Sequence, residues 1–335
     1  MMKNSIRKIS LFLKALAVSF CLSLLLNCSG PVEKNTLYLL PTDGWGHTPK
    51  GWKIQQRLVR RSSDSDLDSL ARHASEPAIR ALAYWSLAKK QSERCYDILL
   101  SELKDTSTFK TAWADLWFDT TVASFMIEES DSLHFSDSQR HIIDSTIVFG
   151  SGFDHIYKYQ PASRLVGTDG VYERIHELMD GGEIYLMPIL AEFKDPADIP
   201  LIIEALQASP MEDDKADSYE QTSYFKKIVA LHTVTDWPDE TFIPILEKMR
   251  DEELTLKYSD NIRELFSAVM SYDNDWAYDF IYDMFHDRGA KEKDRFPEEF
   301  YRAFYEGKQS ARFKPLVDEF GEEPFDWNWG KSEPE

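Results

Sequence analysis

Cysteine is scarce in this chain: 3 in 335 residues, at Cys21, Cys28 and Cys95. So few thiols cannot staple a disulfide framework, and the body must be held by apolar burial. Positive charge is also in deficit, with 38 Lys and Arg against 58 Asp and Glu and a formal net charge of −20. A chain this acidic repels a phosphate backbone, which excludes nucleic acid as a partner. A long unbroken hydrophobic run is missing too. The best one, Leu11 to Leu26, is interrupted by Lys14, Ser19 and Ser23, and it is short of the about 20 residues that a membrane-spanning helix needs.

Catalytic signatures are absent from the sequence as well. There is no Walker-type phosphate loop and no HExxH. Phe149-Gly150-Ser151-Gly152-Phe153 sets a serine between glycines, but the hydrolase elbow needs one more residue on each side of its serine. These glycines predict a turn. Asp64, Asp66 and Asp68 have the spacing that opens a calcium loop, yet Ser69 and Ser75 stand where that loop needs Gly and Glu. Helix capping explains the triplet better. His134, His141 and His155 lie near Asp137, Asp144 and Asp154. Their spacing is irregular for a zinc site, and His176-Glu177 is a lone pair. The sequence therefore predicts no catalytic residue, no metal and no cofactor.

What is present begins at the N-terminus. Lys3, Arg7 and Lys8 precede the apolar stretch, and Leu25-Leu26-Asn27-Cys28 follows it. A basic start before a short apolar segment is the form of an export signal. The run Leu25 to Cys28 resembles a lipobox, the cleavage and lipidation site of bacterial lipoproteins, with Asn27 where the pattern has a smaller residue. The resemblance implies cleavage of residues 1–27 and acylation of Cys28 on its sulfur and its new amino group. At about 0.8 kcal/mol per buried methylene, several chains would hold the body on a membrane. It also implies a cell-envelope location; Ser29 is compatible with sorting to the outer membrane. The alternatives are a plain secretory signal or an uncleaved anchor. Cys95, left without an intrachain partner, reads as a small buried hydrophobe.

Residues 28–36 read as a polar tether. Residues 37–65 read as an N-terminal cap segment, with Trp45 and Trp52 as anchors and a basic run of Lys50, Lys53, Arg57, Arg60 and Arg61. That run suits either a salt-bridged face or anionic headgroups. Helical periodicity dominates 66–129: Asp66 is a candidate cap, Pro77 suits a helix start, and Ile79, Leu82, Ala83, Ser86 and Leu87 form one stripe. A third helix is expected near 109–129. Residues 130–182 mix β-branched residues, aromatics, Gly and Pro, and are expected to be an irregular insertion that could bear function.

Over 183–320 short helices are expected in pairs: 183–194 with 198–208, 222–235 with 240–250, 260–271 with 275–286, and 298–306 with 310–320. Leu246, Ile281 and Leu316 recur every 35 residues, and Ile203 precedes Leu246 by 43. The surplus falls in the acidic loop SPMEDDKADS at 209–218. A helix pair recurring at this period marks an α-solenoid. EPAIRALAYWSLAKK, SERCYDILLSELKD, MPILAEFKDPADIPLIIEALQ and FIPILEKMRDEE resemble HEAT repeats, which are defined by apolar spacing. The expected fold class is all-α, an α-solenoid of HEAT-like pairs, with an irregular helical bundle as the alternative.

Aromatics are plentiful, with 9 Trp, 15 Tyr and 20 Phe. Tyr157, Tyr159, Trp327 and Trp329 lie outside clean helical stripes and are the candidate partner-binding residues; the last two sit in the tail, 321–335. The functional expectation is an envelope lipoprotein, held to the membrane through Cys28, whose repeats form a scaffold for a protein partner. The alternatives are an extracellular glycan- or peptide-binding lipoprotein and an enzyme with its site in 130–182.

Overall fold

The computed structural model describes residues 58–113, 116–209, 222–255, 261–286 and 296–322. The signal segment, the tether, most of the cap segment and the tail lie outside them. The chain is mostly helical, and it divides into two compact units at Arg164 and Leu165. Among the described residues no helix is long and apolar enough to cross a membrane.

The first unit opens with α1 (Asp64–His73), α2 (Pro77–Lys89) and α3 (Arg94–Glu102). Ser63, not Asp66, caps α1: its hydroxyl oxygen accepts from the Asp66 amide at 3.2 Å and donates to the Asp66 carboxylate at 2.8 Å. The helix thus starts one turn earlier than the apolar pattern suggests, because the cap must precede the first free amides. Pro77 stands at the first position of α2. This helix is buried almost all round, with Ala78, Ala81, Ala83 and Ala88 among its buried residues, and it packs against both α1 and α3. Short side chains let those neighbours approach closely. Arg80 on α2 clamps Asp105 through two guanidinium bonds of 2.8 and 3.1 Å and donates a third to the Ala74 carbonyl at 2.7 Å.

The helix expected near 109–129 is not one helix. Instead β1 (Thr108–Trp113) pairs antiparallel with β2 (Leu116–Thr121), with Phe109 opposite Thr120 and Trp113 opposite Leu116. Thr108 and Lys110 are exposed and Phe109 between them is buried, which is the two-residue period of a strand. Four threonines and several aromatics favour the extended chain. Thr121 then caps α4 (Val122–Ser130) by accepting from the Ser124 amide, and Phe125 meets Phe109 edge-on at 5.5 Å.

The segment expected to be irregular holds helices. A reciprocal cap between Ser136 and Gln139 starts α5 (Asp137–Phe149), and α6 (Tyr159–Arg164) packs against it. The turn after α5 needs both of its glycines. A Cβ at Gly150 would overlap the Thr146 carbonyl and the Phe153 ring, and Gly152 has φ +80°. Asp144, 1% exposed, accepts two bonds from Arg164, each 2.8 Å, which fix α6 on α5.

The second unit opens with α7 (Val171–Asp180). A 3-10 segment (Ile184–Ile189) runs into α8 (Leu190–Phe193), and another (Pro196–Asp198) into α9 (Ile199–Leu206). Then come α10 (Ser223–Asp236), a 3-10 turn (Glu240–Phe242), α11 (Ile243–Thr255), α12 (Ile262–Met270), α13 (Asp275–His286), α14 (Phe296–Glu306) and α15 (Lys314–Phe320). Segment 184–189 packs against α10, α10 against α12, and α12 against α14. The intervening helices attach to these: α9 to α10, α11 to α12, α13 to α12, and α15 to α13 and α14.

The entries to the second helices share a device. Asp195 caps the turn before α9 and Asp239 the turn before α11, each accepting from a backbone amide two residues on. Pro200, Pro244 and Pro315 sit at the second position of α9, α11 and α15, where a missing amide costs nothing. Of the apolar residues expected inside, Ile202 and Leu206, Phe242 and Leu246, Phe280 and Ile281, and Leu316 and Val317 are buried, whereas Ile199 and Ile203 on α9 are half-buried.

Aromatic rings fill the end of this core. Phe285 is fully buried, stacked on Phe320 at 5.0 Å and in contact with Phe300 at 5.4 Å and Phe266 at 5.9 Å. Phe285→Ala should cost roughly 4 kcal/mol, read as a lower urea midpoint with an unchanged slope.

Candidate functional site

Cys28, Trp327 and Trp329 lie outside the described residues. Tyr157 and Tyr159 are brought together. They stand at the start of α6, ring centroids 6.3 Å apart and planes at 22°, and Tyr157 is 60% exposed. Tyr157 and Tyr159 flank Lys158, which is buried. Burial alternates from exposed Tyr157 through buried Lys158 to half-buried Tyr159, and the ring contact places the two tyrosines on one side.

The histidine cluster is dispersed. His134 Nδ1 lies 2.8 Å from Gln91 Oε1, His141 is exposed on α5, and the His155 imidazole has a buried Nε2 without a hydrogen-bond partner. Asp144 is committed to Arg164, while Asp137 and Asp154 are exposed. Among the described residues no group of three or more His, Cys, Asp or Glu could hold a metal ion. Cys95 is fully buried on α3, and burial pushes its thiol up to about 12, far from a reactive thiolate.

Two polar groupings escape sequence reasoning. The first joins α7 to the turn before α9. Tyr172 donates its hydroxyl to Asp198 Oδ1 at 3.0 Å, and His176 Nε2 lies 2.9 Å from the same oxygen, at ion-pair distance but off the line of an aligned hydrogen bond. Asp198 is 1% exposed and its Oδ2 is buried without a partner. Burial holds the Asp198 carboxyl above its ordinary range, and burial together with the Asp198 contact raises the Tyr172 hydroxyl. The grouping can hold and share a proton. Tyr172 and His176 have an i, i+4 spacing that the sequence displays; nothing in the sequence announces that Asp198 folds onto them. Tyr172→Phe would leave the buried carboxylate without its hydroxyl donor. A loss of about 1–3 kcal/mol is expected in chemical denaturation.

The second grouping is in the first unit. Glu129 on α4 is half-buried, and burial pushes its carboxyl up to about 7 despite the opposing pull of Lys89. Tyr84, wholly buried on α2, has a hydroxyl without a partner, and burial raises it. The Glu129 carboxyl ionises at its ordinary value near 4.5 when unfolded and holds its proton to about 7 when folded. Its contribution to stability is complete below 4.5 and is lost as pH rises through 7. The wild-type chain should therefore lose stability relative to Glu129→Gln between pH 4.5 and 7, by at most about 1.4 kcal/mol per pH unit. Paired urea titrations across that range measure the difference.

Comparison with known proteins adds no name to this geometry: no family model, no curated protein and no solved structure matches the chain.

Proposed function

We propose that this chain is an envelope lipoprotein, anchored by acyl chains on Cys28, whose second unit is a HEAT-like helical-repeat scaffold for a protein partner. The observation that supports the scaffold most is a set of contacts made about one repeat apart. Tyr272 donates to the Asp239 carbonyl at 2.6 Å, 33 residues away. Ser310 donates to Asp273 at 2.6 Å and Arg312 to Asp275 at 2.5 Å, each 37 residues away. On the helices, the Trp276 indole donates to Glu247 at 3.1 Å and Arg250 lies over the Phe280 ring at 5.1 Å. At both junctions between 222 and 320 the turn of one helix pair thus bonds to the turn of the next, as nearest-neighbour repeats do. Such a body exposes area in proportion to its length, which suits a protein partner; the step from fold to partner is analogy.

The anchor is supported by the lipobox-like run at 25–28 and by the basic, then apolar, residues before it. Metabolic labelling with a palmitate analogue tests it. Label should be incorporated by the wild-type chain and by Cys21→Ala, and be lost in Cys28→Ala. Label that persists in Cys28→Ala would sink the anchor.

A second reading, binding of a glycan, is favoured by the paired rings of Tyr157 and Tyr159. The exposed Tyr157 ring, backed by the half-buried Tyr159 ring, can stack on a sugar face. On a glycan array, Tyr157→Ala should then weaken any binding seen at least tenfold.

A further inference from the structure

Among the described residues Asp144 and Asp198 are the most deeply buried carboxylates. Asp144 is matched by the guanidinium fork of Arg164. Asp198 has no Lys or Arg beside it. Its side-chain contacts are the Tyr172 hydroxyl at 3.0 Å and His176 Nε2 at 2.9 Å. The Asp195 carboxylate also acts on Asp198 and on the Tyr172 hydroxyl, and it adds a second negative charge instead of removing the first. A buried carboxylate without a cation is costly, so this corner of the second unit is short of positive charge.

The spacing of the donors says which cation fits. His176 Nε2 and Asp198 Oδ1 are close enough for a hydrogen bond, yet the ring nitrogen has no hydrogen-bond partner, because the contact runs off its in-plane direction. Two atoms that ligate one zinc ion stand about 3 Å apart, since each lies about 2.0–2.1 Å from the metal. The nitrogen and the carboxylate have that separation. Asp198 Oδ2, buried and without a partner, supplies a further acceptor. Imidazole with carboxylate suits zinc and its first-row neighbours, whereas calcium and magnesium take oxygen ligands. The Tyr172 hydroxyl, bonded to Oδ1, orients the carboxylate as outer-sphere donors do. The His176 side chain is partly exposed, which gives an ion a way in from solvent.

We infer that His176 Nε2 and the Asp198 carboxylate ligate a divalent ion of the zinc class, with Tyr172 holding the carboxylate in place and Asp195 adding negative charge beside it. Two side-chain ligands leave the other coordination positions to water. The site is therefore exchangeable and not a closed cage, in keeping with the lack of any three-residue group of His, Cys, Asp or Glu among the described residues. His176 lies on α7 and Asp198 ends the turn before α9, so the ion ties those two elements together. In the sequence His176 stands with Glu177 as a lone pair; the fold gives it Asp198 instead. The inference rests neither on the lipid anchor nor on the repeat scaffold.

Equilibrium dialysis of the full chain in detergent against zinc chloride tests it, with the melting temperature as a second readout. The wild-type chain should take up zinc and melt higher with it than with a chelator. His176→Gln and Asp198→Asn should each lose both effects. Tyr172→Phe should bind zinc more weakly by roughly tenfold to a hundredfold. His141→Gln, at an exposed imidazole on α5, should behave as the wild type, which separates this site from zinc held by surface histidines. Should Asp198→Asn fail to fold, His176→Gln decides, because its ring is half-exposed. Three results would overturn the inference: no zinc uptake by the wild-type chain, uptake undiminished in His176→Gln, or a stability that follows pH with no response to zinc.

Discussion

Burial of a one-sided apolar stripe is the constraint on which the second unit depends. Helices such as α9, with 8 residues, and α15, with 7, are too short to be stable alone, because nucleation costs more than so few backbone bonds return. Each must cover its stripe with a neighbour. α9 covers its stripe on α10, and α15 on α13 and α14, while α10 lies on α12 and α12 on α14. The polar contacts follow from that packing. Once the stripes are aligned, Tyr272 reaches Asp239, and Ser310 reaches Asp273.

The first unit meets the same demand differently. Its α2 is covered by three helices and by strand β1, and alanines keep it slim enough for all of them. A helix buried on so many sides leaves few positions for charge, so the charged groups gather at its ends. Arg80 finds Asp105 at one end, and Lys90 finds Asp64 at the other. Partly screened pairs of this kind contribute little energy; they fix which loop closes over which helix end. Asp144 and Arg164 do the same for α6, with the carboxylate fully buried, where loss of either partner would leave an unpaired charge.

Burial also concentrates unusual protonation at three acids or thiols. Glu129, Asp198 and Cys95 are held toward their neutral forms because their surroundings cannot solvate a charge. They sit where helices meet rather than in an open cleft, and they read as ties between elements. Among the described residues Tyr157 is the most exposed of the large apolar side chains, with the half-buried Tyr159 beside it.

The amino-acid order by itself determined the helical class and the places of the helices from 183 to 320, because a 3.6-residue apolar period survives in any context that buries one face. It also carried the start of α2 at Pro77 and the glycine turn at 150–152, where backbone chemistry is local. Tertiary structure joined the local preference of the threonines and aromatics at β1 and β2, where burial of Phe109 between exposed neighbours selected a two-residue period over a helical one. It alone decided that His134, His141 and His155 separate while Tyr172, His176 and Asp198 converge. Contacts between residues 26 apart are set by how helices pack, and side-chain chemistry read in order along a chain contains no record of that distance.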